Sequence, residues 1–163
     1  MEQLIVLLPL LGAIIAGFFG RFIGDRGAML VTCSLLLASA VLSCFVFYDV
    51  AFAHNARVTE LFTWIDSGSF EVSWALKVDT LTAVMLIVVT GVSSMVHVYS
   101  VGYMSHDPAK PRFFAYLSLF TFFMLMLVTA DHFVQMFFGW EGVGLASYPL
   151  IGFWSARPRA CPA

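Results

Sequence analysis

Charge is scarce in this chain. Only 11% of its 163 residues are Asp, Glu, Lys or Arg, against about 25% in soluble domains. That scarcity excludes an ordinary water-facing surface. The formal net charge is −2, with no basic stripe and no Gly-rich phosphate loop, so no nucleic-acid partner is expected. Cysteine is scarce too. Cys33, Cys44 and Cys161 form no CxxC pair and no zinc spacing, which excludes a disulfide framework and leaves them as apolar packing residues. Glu2 is the one charge before Arg21. The first apolar run therefore lacks the basic flank of a signal peptide and reads as a retained helix. No internal repeat or low-complexity tract is evident.

What remains is apolar: 61% of residues are hydrophobic and 16% are aromatic. Long apolar runs of bilayer-spanning length recur along the chain. The expected fold class is an all-α membrane protein with five transmembrane helices, at about 4–19, 28–50, 80–104, 113–130 and 133–154. Residues 1–154 read as one membrane region. Arg21, Arg26, Lys110, Arg112, Arg157 and Arg159 fall on one side of this layout, and only Arg57 and Lys77 on the other. The positive-inside bias then puts the N-terminus outside and the C-terminus in the cytoplasm.

The outer loop 51–79 has a pattern of its own. Leu61-Phe62-Thr63-Trp64-Ile65 reads as a strand and Asp66-Ser67-Gly68-Ser69 as a turn. Phe70, Val72, Trp74 and Leu76 then alternate with Glu71, Ser73, Ala75 and Lys77. That period of two predicts a small β-hairpin between helices 2 and 3. Asp79 follows and is placed to cap the next helix, and Trp64 and Trp74 suit a water–lipid boundary.

Glu141 stands out against this background. It lies within Phe137-Phe138-Gly139-Trp140-Glu141-Gly142-Val143-Gly144-Leu145, eight residues into its helix, or about 12 Å at 1.5 Å per residue. A charge at such depth costs roughly 3 kcal/mol on insertion scales. Burial raises a carboxyl pKa and a neighbouring cation lowers it, so a site alternating between the two can take up and release a proton. A protonated carboxyl that only hydrogen-bonds a neighbouring helix is the plainer alternative. No Lys or Arg lies within any apolar span, so this stretch of sequence does not complete a carboxylate–lysine pair.

Three further residues are candidates for a proton relay. His97 lies two-thirds through the third helix, and a lone His is weak evidence for metal or haem. Asp131 and His132 fill the tight turn between the last two helices, where capping explains Asp131 equally well. Gln135, Thr90, Ser93, Ser94, Ser118, Thr121 and Ser147 are able to support water chains or to bond their own helix backbone. Pro149 interrupts the fifth helix and predicts a kink.

Arg112-Phe113-Phe114-Ala115-Tyr116-Leu117, Ala130-Asp131-His132, Gly139-Trp140-Glu141-Gly142-Val143-Gly144-Leu145 and Leu150-Ile151-Gly152-Phe153-Trp154 together resemble the antiporter-like subunit L (chain 5) family of respiratory complex I. Val78-Asp79-Thr80-Leu81-Thr82 and the start from Leu4 to Gly12 are similar to the same family's N-terminal region. The likeness covers about 1–154. It implies a proton-translocating membrane subunit of a NADH:quinone oxidoreductase, with Glu141 as the proton-binding carboxylate that pairs with a lysine on a later helix. It implies no cofactor in this chain, with NADH, flavin, iron–sulfur clusters and quinone held by other subunits. The implied partners are other complex I membrane subunits, the later helices of the same subunit and the lipid bilayer. The expected location is a bacterial inner membrane, with an organellar inner membrane as the other possibility. A subunit of a multisubunit Na⁺/H⁺ antiporter, a non-transporting remnant or an assembly element are the alternatives. Pro149 departs from the family pattern, and so does the tail 155–163, which reads as the product of a truncation or frameshift.

Overall fold

The computed structural model describes residues 1–53, 55–68 and 70–154. The tail 155–163, and with it Cys161, lies outside the described residues. The order is α1 (Glu2–Ala53), β1 (Arg57–Ser67), β2 (Phe70–Val78), α2 (Thr80–Tyr103), α3 (Lys110–Val128), α4 (Phe133–Ile151) and a 3₁₀ turn (Gly152–Trp154).

The first two expected helices are the two arms of α1. Unbroken, 52 residues would run about 78 Å, far beyond a hydrocarbon core of about 30 Å. Gly24 breaks the run with φ 77° and ψ 168°, a conformation that glycine adopts without a Cβ clash. The arms then pack antiparallel. A Cβ on Gly12 would meet Thr32 Cα at 3.6 Å, so the backbones approach closely. Pro9 has no N–H to give the carbonyl of Ile5 one turn earlier. Ser39 on the opposite arm supplies the missing donor, its Oγ 2.7 Å from Ile5 O. A helix-breaking residue in an apolar setting is thus re-satisfied by its neighbour.

Three helices, α1, α2 and α3, are long and apolar enough to cross a membrane. α4 has the length at 19 residues and carries Gln135 and Glu141 within it. It runs unbroken through Pro149 to Ile151. The helix boundaries differ from expectation at the basic end, where α3 starts at Lys110 and not at 113. There Lys110 Nζ pairs with Asp25 at 3.5 Å.

The hairpin is present and longer than the sequence pattern suggests. β1 and β2 pair antiparallel from Arg57↔Val78 inward, with register irregularities between Glu60 and Phe62 and between Thr63 and Ile65. The extra residues, Leu61 and Trp64, fall on β1; on β2, Ala75, Leu76 and Val78 are all buried. Leu76 and Val78 join Ile5, Val6, Val46, Val50, Leu86 and Leu125 in the main core. The core therefore sits where the hairpin meets the ends of both α1 arms, the start of α2 and the end of α3. Arg57 fixes this end further. It bonds Asp49 Oδ2 through Nη1 at 2.7 Å and Glu2 Oε1 through Nε at 2.6 Å, and these two carboxylates hold its guanidinium even more firmly protonated than usual.

Asp79 caps α2 as expected, accepting from the Thr82 backbone N–H at 2.8 Å. That bond holds its carboxyl below the ordinary Asp range. A depressed folded-state pKa gives stability that is present at neutral pH and is lost as pH falls through the folded value. Asp79→Ala is expected to lower stability by about 1 kcal/mol at pH 7. The gap to the parent should narrow as pH falls below the ordinary Asp range and close once the folded carboxyl itself protonates. Thermal unfolding in detergent across this pH range checks it.

Candidate functional site

Glu141 sits on an exposed face of α4. The helix turns Gln135, Gly139, Gly142 and Ala146 inward, a spacing of four, three and four that follows one helical stripe. That stripe packs on α3. A Cβ on Gly139 would lie 2.7 Å from Leu127 Cα, and one on Gly142 would enter the Phe123 ring. Glu141 lies off this stripe, with Leu145 and Tyr148 on its own side, 66% and 81% exposed. Within the described chain it is not held between two helices. Among the described residues no hydrogen bond or ion pair reaches it. Two open grooves flank it, of ≈350 Å³ and ≈300 Å³; Met136, Phe137 and Trp140 line the first, and Phe123, Phe138 and Leu145 the second.

The start of α4 is tied down firmly. Ser73, Ala75 and Lys77 are the alternate residues of β2 whose backbone groups point away from β1. Each finds a partner in 129–135. His132 Nε2 donates to Ser73 O at 2.8 Å. Gln135 Nε2 donates to Ala75 O at 2.7 Å, and Gln135 Oε1 accepts from Ala75 N at 3.3 Å. Lys77 N donates to Thr129 O at 2.9 Å. An edge strand that would otherwise expose its ladder is thus covered. Trp74 and Trp64 then pack edge-on against Phe138, with ring centroids 5.0 and 6.3 Å apart. The helix that carries Glu141 is therefore anchored to the hairpin through its first two turns.

His132 is the N-cap of α4. Its Nδ1 accepts from Gln135 N at 3.2 Å while its other ring nitrogen holds Ser73. A carbonyl can only accept, so Nε2 carries the proton and the ring is neutral. The cap falls to His132 and not to Asp131, which is exposed. The sequence offers Gln135 for a water chain or a bond to its own helix backbone, and its part in the β2 edge is neither of these. An amide three residues after a capping His was the available signal, but nothing local says which strand it meets.

His97 is fully buried between α2 and α3. Its Nδ1 lies 2.9 Å from Ser93 O and its Nε2 3.1 Å from Ser118 Oγ. By the same reasoning Nδ1 carries a proton, and Nε2 shares a hydrogen bond with the Ser118 hydroxyl, which is able to donate or accept. Ser93 Oγ meets Thr121 Oγ1 at 2.5 Å, and Thr121 donates to Leu117 O. The result is a short polar network that joins the middles of two apolar helices. Thr90 and Ser147 bond their own helix backbone. Ser94 Oγ is buried without a partner among the described residues. No hydrogen bond or ion pair joins His97, Asp131 or His132 to Glu141. Among the described residues no cluster of three or more His, Cys, Asp or Glu is placed to hold a metal ion.

A multi-pass helical membrane protein with one carboxylate on an apolar helix face is the class these features define. Residues 64–114 match the family model described as NADH-Ubiquinone oxidoreductase (complex I), chain 5 N-terminus. Residues 130–163 match that of the NADH:quinone oxidoreductase/Mrp antiporter transmembrane region. NADH-ubiquinone oxidoreductase chain 5 of Marchantia polymorpha is 56% identical over 160 residues, covering 98% of this chain and 24% of the relative, and the Arabidopsis thaliana chain 5 gives the same figures. A Neurospora crassa protein described as probable intron-encoded endonuclease 4 is 51% identical over 156 residues, covering 96% of this chain and 29% of that protein. The chain belongs to the complex I chain 5 family and corresponds to its N-terminal portion. It spans about a quarter of the length of the chain 5 relatives it matches.

Proposed function

We propose that this chain is part of a proton-translocating membrane subunit of NADH:quinone oxidoreductase, and that Glu141 is its proton-binding carboxylate. One observation carries the reading. A carboxylate deep in an apolar helix has no partner in the described chain and stands on an uncovered face. Such a group is costly in hydrocarbon unless another element supplies a cation or a proton path. In this reading a lysine on a later helix of the whole subunit faces Glu141, and the carboxyl loads and releases a proton as that charge moves. His97, with its serine and threonine neighbours, is the candidate relay between α2 and α3. Asp131 and His132 are candidates at the outer surface. Redox chemistry, with NADH, flavin, iron–sulfur clusters and quinone, belongs to other subunits of the complex.

The same reading gives five crossings: the two arms of α1, then α2, α3 and α4, with the N-terminus outside. It is supported by the break at Gly24, by the packing of α4 on α3 and by the gathering of Arg21, Lys110 and Arg112 at one end. The relatives named above come from plants and a fungus, which favours an organellar inner membrane and gives a bacterial membrane no support. One family region matches 155–163 together with α4, and a tail made by truncation or frameshift would show on resequencing the locus as a long in-frame extension.

Glu141→Gln in the full-length subunit tests the reading. NADH-driven pumping in sealed membrane vesicles is expected to fall at least about tenfold, as for loss of a proton-transfer group, with the complex still assembled. Unchanged pumping with normal assembly would make Glu141 a structural carboxyl and favour a remnant or assembly role. A subunit of a Na⁺/H⁺ antiporter is the second reading, because the matching family region is shared with Mrp antiporters. Sodium-sensitive growth on deletion, with NADH oxidation intact, would select it.

A further inference from the structure

We propose that the cleft between the Gly24 turn of α1 and the start of α3 binds the phosphate of an anionic glycerophospholipid. The cleft encloses ≈600 Å³ and is lined by Arg21 and Asp25 from α1 and by Arg112 and Tyr116 from α3. That volume falls in the range of small-molecule sites, about 300–1,000 Å³. Its walls come together because Gly20 lacks a side chain; a Cβ there would lie 2.7 Å from Pro111 Cβ.

The charges in the cleft do not cancel. Asp25 is matched by Lys110 at 3.5 Å. Arg21 is exposed and makes no hydrogen bond or ion pair among the described residues. Arg112 lies with its Cζ 5.0 Å over the Phe153 ring, and a guanidinium stacked by its face keeps its N–H edge for an oxyanion. Ala109 gives α3 no side-chain cap, and the Asp107 carboxylate accepts from the Ala109 N–H at 2.9 Å, so the positive pull of the cleft comes from the two guanidinia and not from the helix end. Deeper in, Ala16, Gly17 and Ala115 present an apolar wall. Two cations above an apolar wall, at the level where the apolar lengths of α1 and α3 end, match a lipid headgroup with its glycerol and first acyl carbons. Free phosphate shares the headgroup's oxyanion chemistry but has nothing to set against the apolar wall. The inference rests on the chain crossing a bilayer and does not depend on any role for Glu141.

The test is native mass spectrometry of the delipidated full-length protein after adding back phosphatidylglycerol, phosphatidylcholine or inorganic phosphate. Arg21→Gln and Arg112→Gln are each expected to weaken phosphatidylglycerol retention about fivefold and the double variant about twentyfold. Arg26→Gln, which lies on a different groove, should leave retention unchanged. Arg21→Lys should keep most of it. Equal retention of phosphatidylglycerol by the parent and the double variant would overturn the proposal. So would inorganic phosphate binding as tightly as the lipid, or phosphatidylcholine retained as well as phosphatidylglycerol. If the double variant fails to fold, the two single variants decide.

Discussion

Gln135→Leu is expected to cost this chain about 2–6 kcal/mol. Gln135 is fully buried, and its amide satisfies both backbone groups of Ala75. Leucine fills the space but leaves an N–H and a C=O without partners, at about 1–3 kcal/mol each. The loss should be local first. Amide exchange at Ala75 should speed up before α2 or α3 loosens, and hydrogen exchange in detergent resolves the order. Gln135→Asn is a useful contrast. It keeps the amide but shortens the reach by one methylene, so the defect should persist in part. An effect confined to global stability, with Ala75 still protected, would mean that the strand edge is held without the glutamine.

Gly139→Ala carries the second large effect, about 1–3 kcal/mol. The added Cβ would stand 2.7 Å from Leu127 Cα and 2.8 Å from Leu127 N. Both are backbone atoms, so no rotamer change relieves the clash and α4 must move off α3. Between helices in lipid no hydrophobic driving force compensates, because close packing itself holds them together. Gly144→Ala is the control. Its Cβ meets nothing within 4 Å, and the gain in helix propensity should leave stability level or slightly raised in this chain. Thermal unfolding of the three proteins in one detergent separates the cases. A Gly139→Ala protein as stable as the parent would show that the α3–α4 contact is looser than the geometry implies.

Much of the architecture was legible because it follows from local chemistry. The apolar runs announce the helices. Gly24 stands among Arg21, Asp25 and Arg26, where a chain leaving one apolar run must turn. Asp79 before Thr80 announces a cap, and the alternation after Gly68 announces a strand. Three things were not legible. α4 lies with one stripe on α3 and the opposite side uncovered, a placement that its apolar run does not announce. His132, and not Asp131, caps it, because the turn geometry that selects the cap depends on where β2 lies. Glu141, Gly144, Leu145 and Tyr148 share one side of a 3.6-residue helix and are all exposed in the structure; periodicity alone has no means of saying that this side is left uncovered.

By itself the sequence determined that the chain is a helical membrane protein, because hydropathy is a property of contiguous residues, and its motifs carried the resemblance to the complex I chain 5 family that the relatives bear out. Only the tertiary structure decided that Gln135 and His132 close the edge of β2, that Ser39 replaces the donor Pro9 removes, and that Glu141 lies off the stripe packed on α3. Each of these joins residues tens of positions apart or selects one helix face over another, and such choices are settled by packing and hydrogen-bond satisfaction across the whole chain.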